Sequence, residues 1–312
     1  MRHARLVAML SLGSLAAATA YGEVVVFDNL TPNDSMAVAS RPASGSAFEI
    51  EAGDDFILGS HTSLTSASFI GLIVNPTGGP TSISEINAEI YRVFPLDSDV
   101  GRTSGPPKFS TPQVPTRVNS PADVEFDGRD SAMSGQLSFT SAILSNTFTA
   151  LNSVQPGGIH PMPGQTTGGN GPVTGQEVEV DVTFESPIDL ASGHYFFVPQ
   201  VLLSNGAQFE WLSASRPISG AGTTPIMPDL QAWTRDQFLD PDWLRVGTDI
   251  VGGEIPPTFN LAFKISGTQS VPEPGALGLF AVGIVGLIVT RRHRSVPPAR
   301  PDAPPLGGQL KS

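Results

Sequence analysis

The stretch from Glu177 to Phe184 constrains the fold more than any other part of the chain. Val178, Val180, Val182 and Phe184 alternate with Glu177, Glu179, Asp181 and Thr183. Successive side chains of an extended strand point to opposite faces, so this run has one apolar and one polar face. Such a strand buries its apolar face only against a second layer.

The composition fits many such strands joined by turns. The 312 residues include 33 Gly and 29 Pro, and only 15% are charged. Further strands are expected at 23–27, 55–58, 63–74, 85–94, 194–203, 208–212 and 260–266. Ile83, Ile86 and Ile90 also fit helical spacing, but Tyr91, Val93 and Phe94 before Pro95 favour strand. Pro199 breaks the 194–203 run and implies an edge or a bulge there. Asn205-Gly206 predicts a hairpin between 194–203 and 208–212. Residues 101–121 and 155–175 are rich in Pro and Gly and read as long loops. Between them, Ile143, Leu144, Phe148 and Leu151 suggest at most a short helical face. With strands at both extremes, the expectation is an all-β fold: an antiparallel, jelly-roll-like β-sandwich with long Pro/Gly-rich loops, closed by its own ends. A soluble, monomeric exported region is expected.

The two ends read differently. Arg2 and Arg5 precede an apolar run, Leu6–Ala18, and Ala18-Thr19-Ala20 supplies the small-x-small pattern that signal peptidase accepts. Residues 1–20 are therefore expected to be a signal helix cut after Ala20. At the other end, Val271-Pro272-Glu273-Pro274 precedes an uncharged segment, 276–290, and the basic cluster Arg291, Arg292 and Arg294. As a helix this segment spans roughly 22 Å against a hydrocarbon core of about 30 Å. It is expected to be a short transmembrane helix held by its cytoplasmic basic flank. Residues 295–312 read as a disordered cytoplasmic tail.

Val271-Pro272-Glu273-Pro274, a short apolar helix and the Arg291-Arg292-His293-Arg294 cluster together resemble the PEP-CTERM sorting signal of Gram-negative bacteria. The resemblance implies an exosortase, a membrane protease, as partner. It also implies a chain exported through the inner membrane, transiently anchored, then left at the cell surface or in the extracellular matrix. The region 21–270 resembles domains often joined to this signal, which are generally taken as β-sandwiches. The stretches Ala52-Gly53-Asp54-Asp55-Phe56 and Leu261-Ala262-Phe263-Lys264-Ile265-Ser266-Gly267 carry that resemblance.

Charge and chemistry narrow the function. Residues 21–270 hold 10 basic and 27 acidic side chains, which repels nucleic acid and anionic lipid. With no cysteine in the chain, disulfides, thiolate metal sites and thiol nucleophiles are excluded. The histidines are scattered, and no metal site or cofactor is expected. Asp54-Asp55 and Asp97-Ser98-Asp99 could supply oxygen ligands, but neither fits a calcium loop, and Asp97 and Asp99 read first as turn caps after Pro95. Glu177, Glu179 and Glu210 are the carboxylates available for glycoside hydrolysis, although their alternation reads first as a solvated face. Trp211, Trp233 and Trp243 read as core, with Trp243, in a loop-like Asp242-Trp243-Leu244-Arg245, the candidate glycan contact.

The expectation is a non-catalytic surface or matrix protein, structural or adhesive, with exopolysaccharide as its candidate partner. The alternative is a carbohydrate-binding module that uses exposed aromatics. A hydrolase ranks third, and a compact acidic cleft with two facing carboxylates would favour it.

Overall fold

The computed structural model describes residues 23–75, 78–102, 114, 116–159, 166–215 and 230–269. All lie in one compact unit, Ala20–Ser270. The strands are, in chain order, β1 (Glu23–Asp28), β2 (Pro32–Ala39), β3 (Ile50–Leu58), β4 (Thr62–Val74) and β5 (Ile83–Arg92). There follow β6 (Asp127–Asp130), β7 (Leu137–Ala150), β8 (Ser153–Val154), β9 (Val173–Leu190) and β10 (Gly193–Leu203). The last are β11 (Gln208–Ala214), β12 (Trp233–Asp236), β13 (Leu244–Arg245), β14 (Asn260–Leu261) and β15 (Phe263–Gln269).

They build an all-β sandwich of two sheets. The first has nine strands in the path β1-β15-β4-β11-β2-β8, with β14 on β11, β9 on the other side of β4, and β7 outside β9. The second has six, in the order β13-β12-β3-β10-β5-β6. Neighbours are antiparallel except β2 and β8. The ends of the region close on each other, Glu23 lying opposite Thr268 where β1 pairs with β15.

Period two sets the interior. On β9 the expected set, Val178, Val180, Val182 and Phe184, is buried. Ile86, Ala88 and Ile90 face the same core from β5, so the ambiguous isoleucine run is a strand. Aromatic rings fill the middle. Phe263 stacks on Phe27 at 4.4 Å between centroids, and meets Phe197 and Trp211 at 5.6 Å each.

Three local expectations need correction. Residues 141–154 hold no helix: 137–150 form β7. Ile143, Leu144 and Leu151 are exposed, and of the apparent helical face Phe148 alone packs, against the cluster that holds Ile70, Leu72 and Ala150. Asn205 and Gly206 do turn the chain with positive φ, but β10 and β11 belong to different sheets, so the turn is an arch and not a hairpin. Pro199 stands in an interior strand. There the pairing with β3 has already ended at Phe197, and Ser40 takes over that side. The N–H of Val201 donates to the Ser40 carbonyl, and the Ser40 hydroxyl donates to the Pro199 carbonyl at 2.6 Å. Residues 199 and 201 point the same way, so the missing proline N–H faces a side with no ladder to serve.

Among the described residues, no helix is long and apolar enough to cross a membrane. The expected signal helix and the expected helix at 276–290 lie outside the described residues.

Candidate functional site

The outer face of the six-stranded sheet carries the densest chemistry. Even positions of β3 and β5 face the core, so Glu51, Glu89 and Tyr91 project outward. Trp233 and Arg235 do the same from β12. A second, smaller apolar cluster forms there from Tyr91, Phe196, Val198, Leu230, Trp233 and Trp243.

Arg235 lies at the centre. Its guanidinium sits 4.3 Å from the Trp243 ring centroid and 5.3 Å from that of Tyr91. Nε and Nη2 donate as a fork to the two oxygens of Glu51, the Nη2 bond being 2.9 Å. Nη2 also donates to the Tyr91 hydroxyl at 3.0 Å, Nη1 donates to the Pro241 carbonyl, and Asp240 lies 3.2 Å away. Burial opposes the arginine charge, but Glu51 and Tyr91 outweigh it and raise the pKa above its ordinary value.

The Tyr91 hydroxyl joins this pair to Glu89. It lies 2.8 Å from Glu51 Oε1 and 3.0 Å from Glu89 Oε2. One phenolic proton cannot serve both carboxyl groups. Burial, with the nearby Glu51 and Glu125 charges, pushes the Glu89 carboxyl well above its usual range. A protonated Glu89 resolves the count: Glu89 donates to Tyr91, and Tyr91 donates to Glu51.

Two clefts open beside this network. One, about 220 Å³, is lined by Asn87, Glu89, Glu125, Gly128, Arg129, Asp130 and Gln136. Burial and Asp127 also raise the Glu125 carboxyl. Arg129 is engaged by Asp127 and by the carbonyls of Gly128, Ser186 and Pro187. The other cleft, about 340 Å³, is lined by Asp97, Ser98, Asp99, Arg102, Asp123 and Asp240 among others. Arg102 bridges Asp123 at 2.6 Å and Asp242 at 2.9 Å, which ties the 97–123 segment to the 240–242 turn.

The residues singled out from sequence fall as follows. Trp243 is not a surface contact. It is 1% exposed, its Nε1 donates to the Ala122 carbonyl at 3.1 Å, and its ring carries Arg235. The Asp242–Arg245 stretch is loop-like only in part, because Leu244 and Arg245 form β13. Trp211 and Trp233 are buried as well. Among the described residues the exposed aromatics are instead Phe238, 68% exposed and 5.4 Å from Phe48, and Phe126, 41% exposed with the Arg92 guanidinium 4.7 Å from its ring centroid.

Asp97 forms a salt bridge with Arg92, while Asp99 accepts from the Gly101 N–H. Asp54 and Asp55 point to opposite faces of β3. Asp54 turns inward, and Asp55 meets His194 Nε2 at 2.6 Å. Among the described residues, no three His, Asp or Glu side chains are placed to hold a metal ion.

Glu177 and Glu210 do share a face, both standing opposite Leu72 from either side of β4. Two strand spacings, roughly 9.6 Å, separate them. Glu210 is buried, its Oε2 has no hydrogen-bond partner among the described residues, and burial pushes its pKa up to about 8. That fits a carboxyl held neutral under apolar cover better than a group open to substrate.

The Arg235 network was missed in the sequence because Glu51, Glu89 and Arg235 occupy the polar positions of alternating strands. Such positions read as solvated, and what buries them is a distant loop. Ala18, Ala20, Val271, Pro272, Glu273, Pro274, Arg291, Arg292 and Arg294 lie outside the described residues.

No curated protein and no solved structure matches the chain. The family model for the PEP-CTERM protein-sorting motif matches residues 270–294, which bracket the Pro-Glu-Pro run and the arginine cluster. By that sorting motif the chain is a PEP-CTERM protein, and the exosortase substrate role follows from the family.

Proposed function

We propose that this exported, exosortase-sorted chain is a non-catalytic protein of the cell surface or extracellular matrix, structural or adhesive in an exopolysaccharide-associated envelope. In this reading the signal peptide delivers it, and exosortase removes the C-terminal helix after transient anchoring. One observation carries the non-catalytic part. The charged groups of the richest cluster are used on one another: Arg235 is forked on Glu51, bonded to Tyr91 and enclosed between two rings. Such an arrangement fixes loops onto a sheet and leaves no free nucleophile or base at its centre. The test is to fractionate the native host and compare it with a deletion strain. The protein should be found in the surface or matrix fraction, and its loss should weaken matrix cohesion without removing a hydrolytic activity.

The 220 Å³ cleft favours a second reading, hydrolysis of a glycan. Glu89 and Glu125 both line it, and a carboxyl with a raised pKa is suited to act as general acid. Polysaccharide cleavage by the purified protein, abolished by Glu89→Gln, would establish this reading and overturn the first. The carbohydrate-binding alternative passes from Trp243 to Phe238. A glycan array comparing the wild type with Phe238→Ala tests it.

A further inference from the structure

We propose that β7 is a self-association edge, along which a second copy of this chain adds antiparallel to Leu137–Ile143 about a two-fold axis at Thr140. The inference deepens the surface-protein reading. It rests on that reading for the crowding of many copies at one membrane face.

The argument starts from how the other sheet-ending strands are protected. An exposed edge is a template for pairing, and short or charged edges prevent it. β8 and β13 have two residues each. β6 has four, of which Asp127, Arg129 and Asp130 are charged. β1 has six and carries Glu23 and Asp28. β7 has 14 residues, no charge and no proline. Among the described residues it pairs only with β9. Its two bulges fall after Ile143, so they blunt the second half and leave Leu137–Ile143 regular.

The side chains on this half are arranged for pairing. Leu137, Phe139, Ser141 and Ile143 lie opposite Phe184, Val182, Val180 and Val178, and so share the core-facing side. Leu137 is buried in the core and Phe139 packs against it, but Ile143 is 59% exposed. A two-fold at Thr140 sets Ile143 of each copy against Leu137 of the other and covers it. The opposite side is Ser138, Thr140 and Ala142, small enough for close approach.

Charge favours a second copy at this place over others. Two molecules each carrying 27 acidic and 10 basic residues over 21–270 repel across most of their surface. β7 itself carries no charge. The outward acid opposite the axis residue Thr140 is Asp181, one strand in, and it accepts from the Ser68 hydroxyl on the far side; at the start of the segment Glu185 accepts from the Ser138 hydroxyl at 2.6 Å. The two Asp181 residues would then lie three strand spacings apart, roughly 14 Å. That exceeds the Debye length of about 8 Å at physiological salt. A seven-residue pairing is weak in dilute solution and gains from the high effective concentration of neighbouring copies. The monomer expected from sequence therefore applies to dilute protein.

Because the natural chain has no cysteine, the test is clean. Thr140→Cys in the full chain, expressed in the native host, places two thiols on the axis with Cβ atoms about 5 Å apart, close to disulfide range. Thr149→Cys lies on the same strand away from the axis, and Glu254→Cys is exposed elsewhere. After mild oxidation of intact cells, Thr140→Cys should give a covalent dimer about tenfold more abundant than either control. Cross-linking no greater than the controls would overturn the proposal. So would Thr149→Cys linking as readily, since that marks random collision. Fractionation reads location separately, so a surface-located chain without the cross-link defeats this inference and leaves the surface reading standing.

Discussion

Asp54 on β3 accepts a hydrogen bond from the backbone N–H of Leu261 on β14 at 2.7 Å, across the inside of the sandwich. Asp54 is buried on the core side of one sheet, and Leu261 belongs to the other. Two residues further along the chain from each, Phe56 on β3 and Phe263 at the start of β15 meet edge-on at 6.4 Å. A polar and an aromatic contact thus clamp the sheets together at one point.

Removing the acceptor leaves the Leu261 N–H buried and unsatisfied. Asp54→Ala should destabilise the exported region by about 2–3 kcal/mol, and Asp54→Asn, which keeps an oxygen there, by less. Urea denaturation of the two variants checks the order. Equal losses would mean that the bond to Leu261 contributes nothing.

Glu210 gives a pH dependence of known sign. Its folded pKa is about 8, raised by burial, against about 4.3 for an unfolded glutamate. The native state therefore holds a proton that the unfolded chain releases. Its contribution is fully present below about pH 4 and falls by about 1.4 kcal/mol per pH unit until pH passes the folded pKa. Glu210→Gln should remove that slope and be the more stable form at pH 9. Denaturation at pH 5, 7 and 9 decides it, and parallel profiles would contradict the assignment.

Arg235 should be hard to remove alone. Arg235→Met leaves the Glu51 carboxylate buried without its partner, at a cost of about 3–5 kcal/mol. The double variant Arg235→Met with Glu51→Met should recover much of that loss, because an apolar pair in a buried site is often neutral. A double-mutant cycle on melting curves measures the coupling. Additive losses would show that the two residues act independently.

A chelator should leave the melting temperature unchanged. Asp97 is bound to Arg92, Asp55 to His194 and Asp54 to Leu261, so the aspartates singled out from the sequence are engaged within the protein. A fall of many degrees that calcium reversed would contradict this.

Strands whose two faces differ chemically were legible in the sequence. β9 announces itself because Val178 to Phe184 alternate with polar residues, whereas β4, buried on both faces around Phe69 and Ile70, shows as a continuous apolar run. β7 was not legible. Of its core-facing positions only Leu137 and Phe139 reach the core and Ile143 beyond them is exposed, so no period-two apolar run marks the strand, and Ile143, Leu144, Phe148 and Leu151 mimic a helical stripe by chance. Trp243 failed for a related reason. Its neighbours Asp242 and Arg245 read as surface, yet Asp242 is paired with Arg102, 140 residues away in sequence. Long-range ion pairs leave no local pattern. The sorting motif needed no fold to be recognised, since its order of proline, acid, apolar segment and arginines is carried by sequence alone.

That motif leads to the central claim, that the C-terminus is a sorting signal which exosortase processes and not a lasting anchor. Arg291, Arg292 and Arg294 would stop translocation and set the depth at which Pro272-Glu273-Pro274 meets the protease. Neutral replacements at these three positions should impair sorting. The most direct measurement is mass spectrometry of the surface-exposed protein from the native host. The mature form should lack everything from about Ala276 onward, so peptides containing Asp302 should be missing. Surface-located protein that still yields those peptides would contradict the claim and make the apolar segment a permanent anchor.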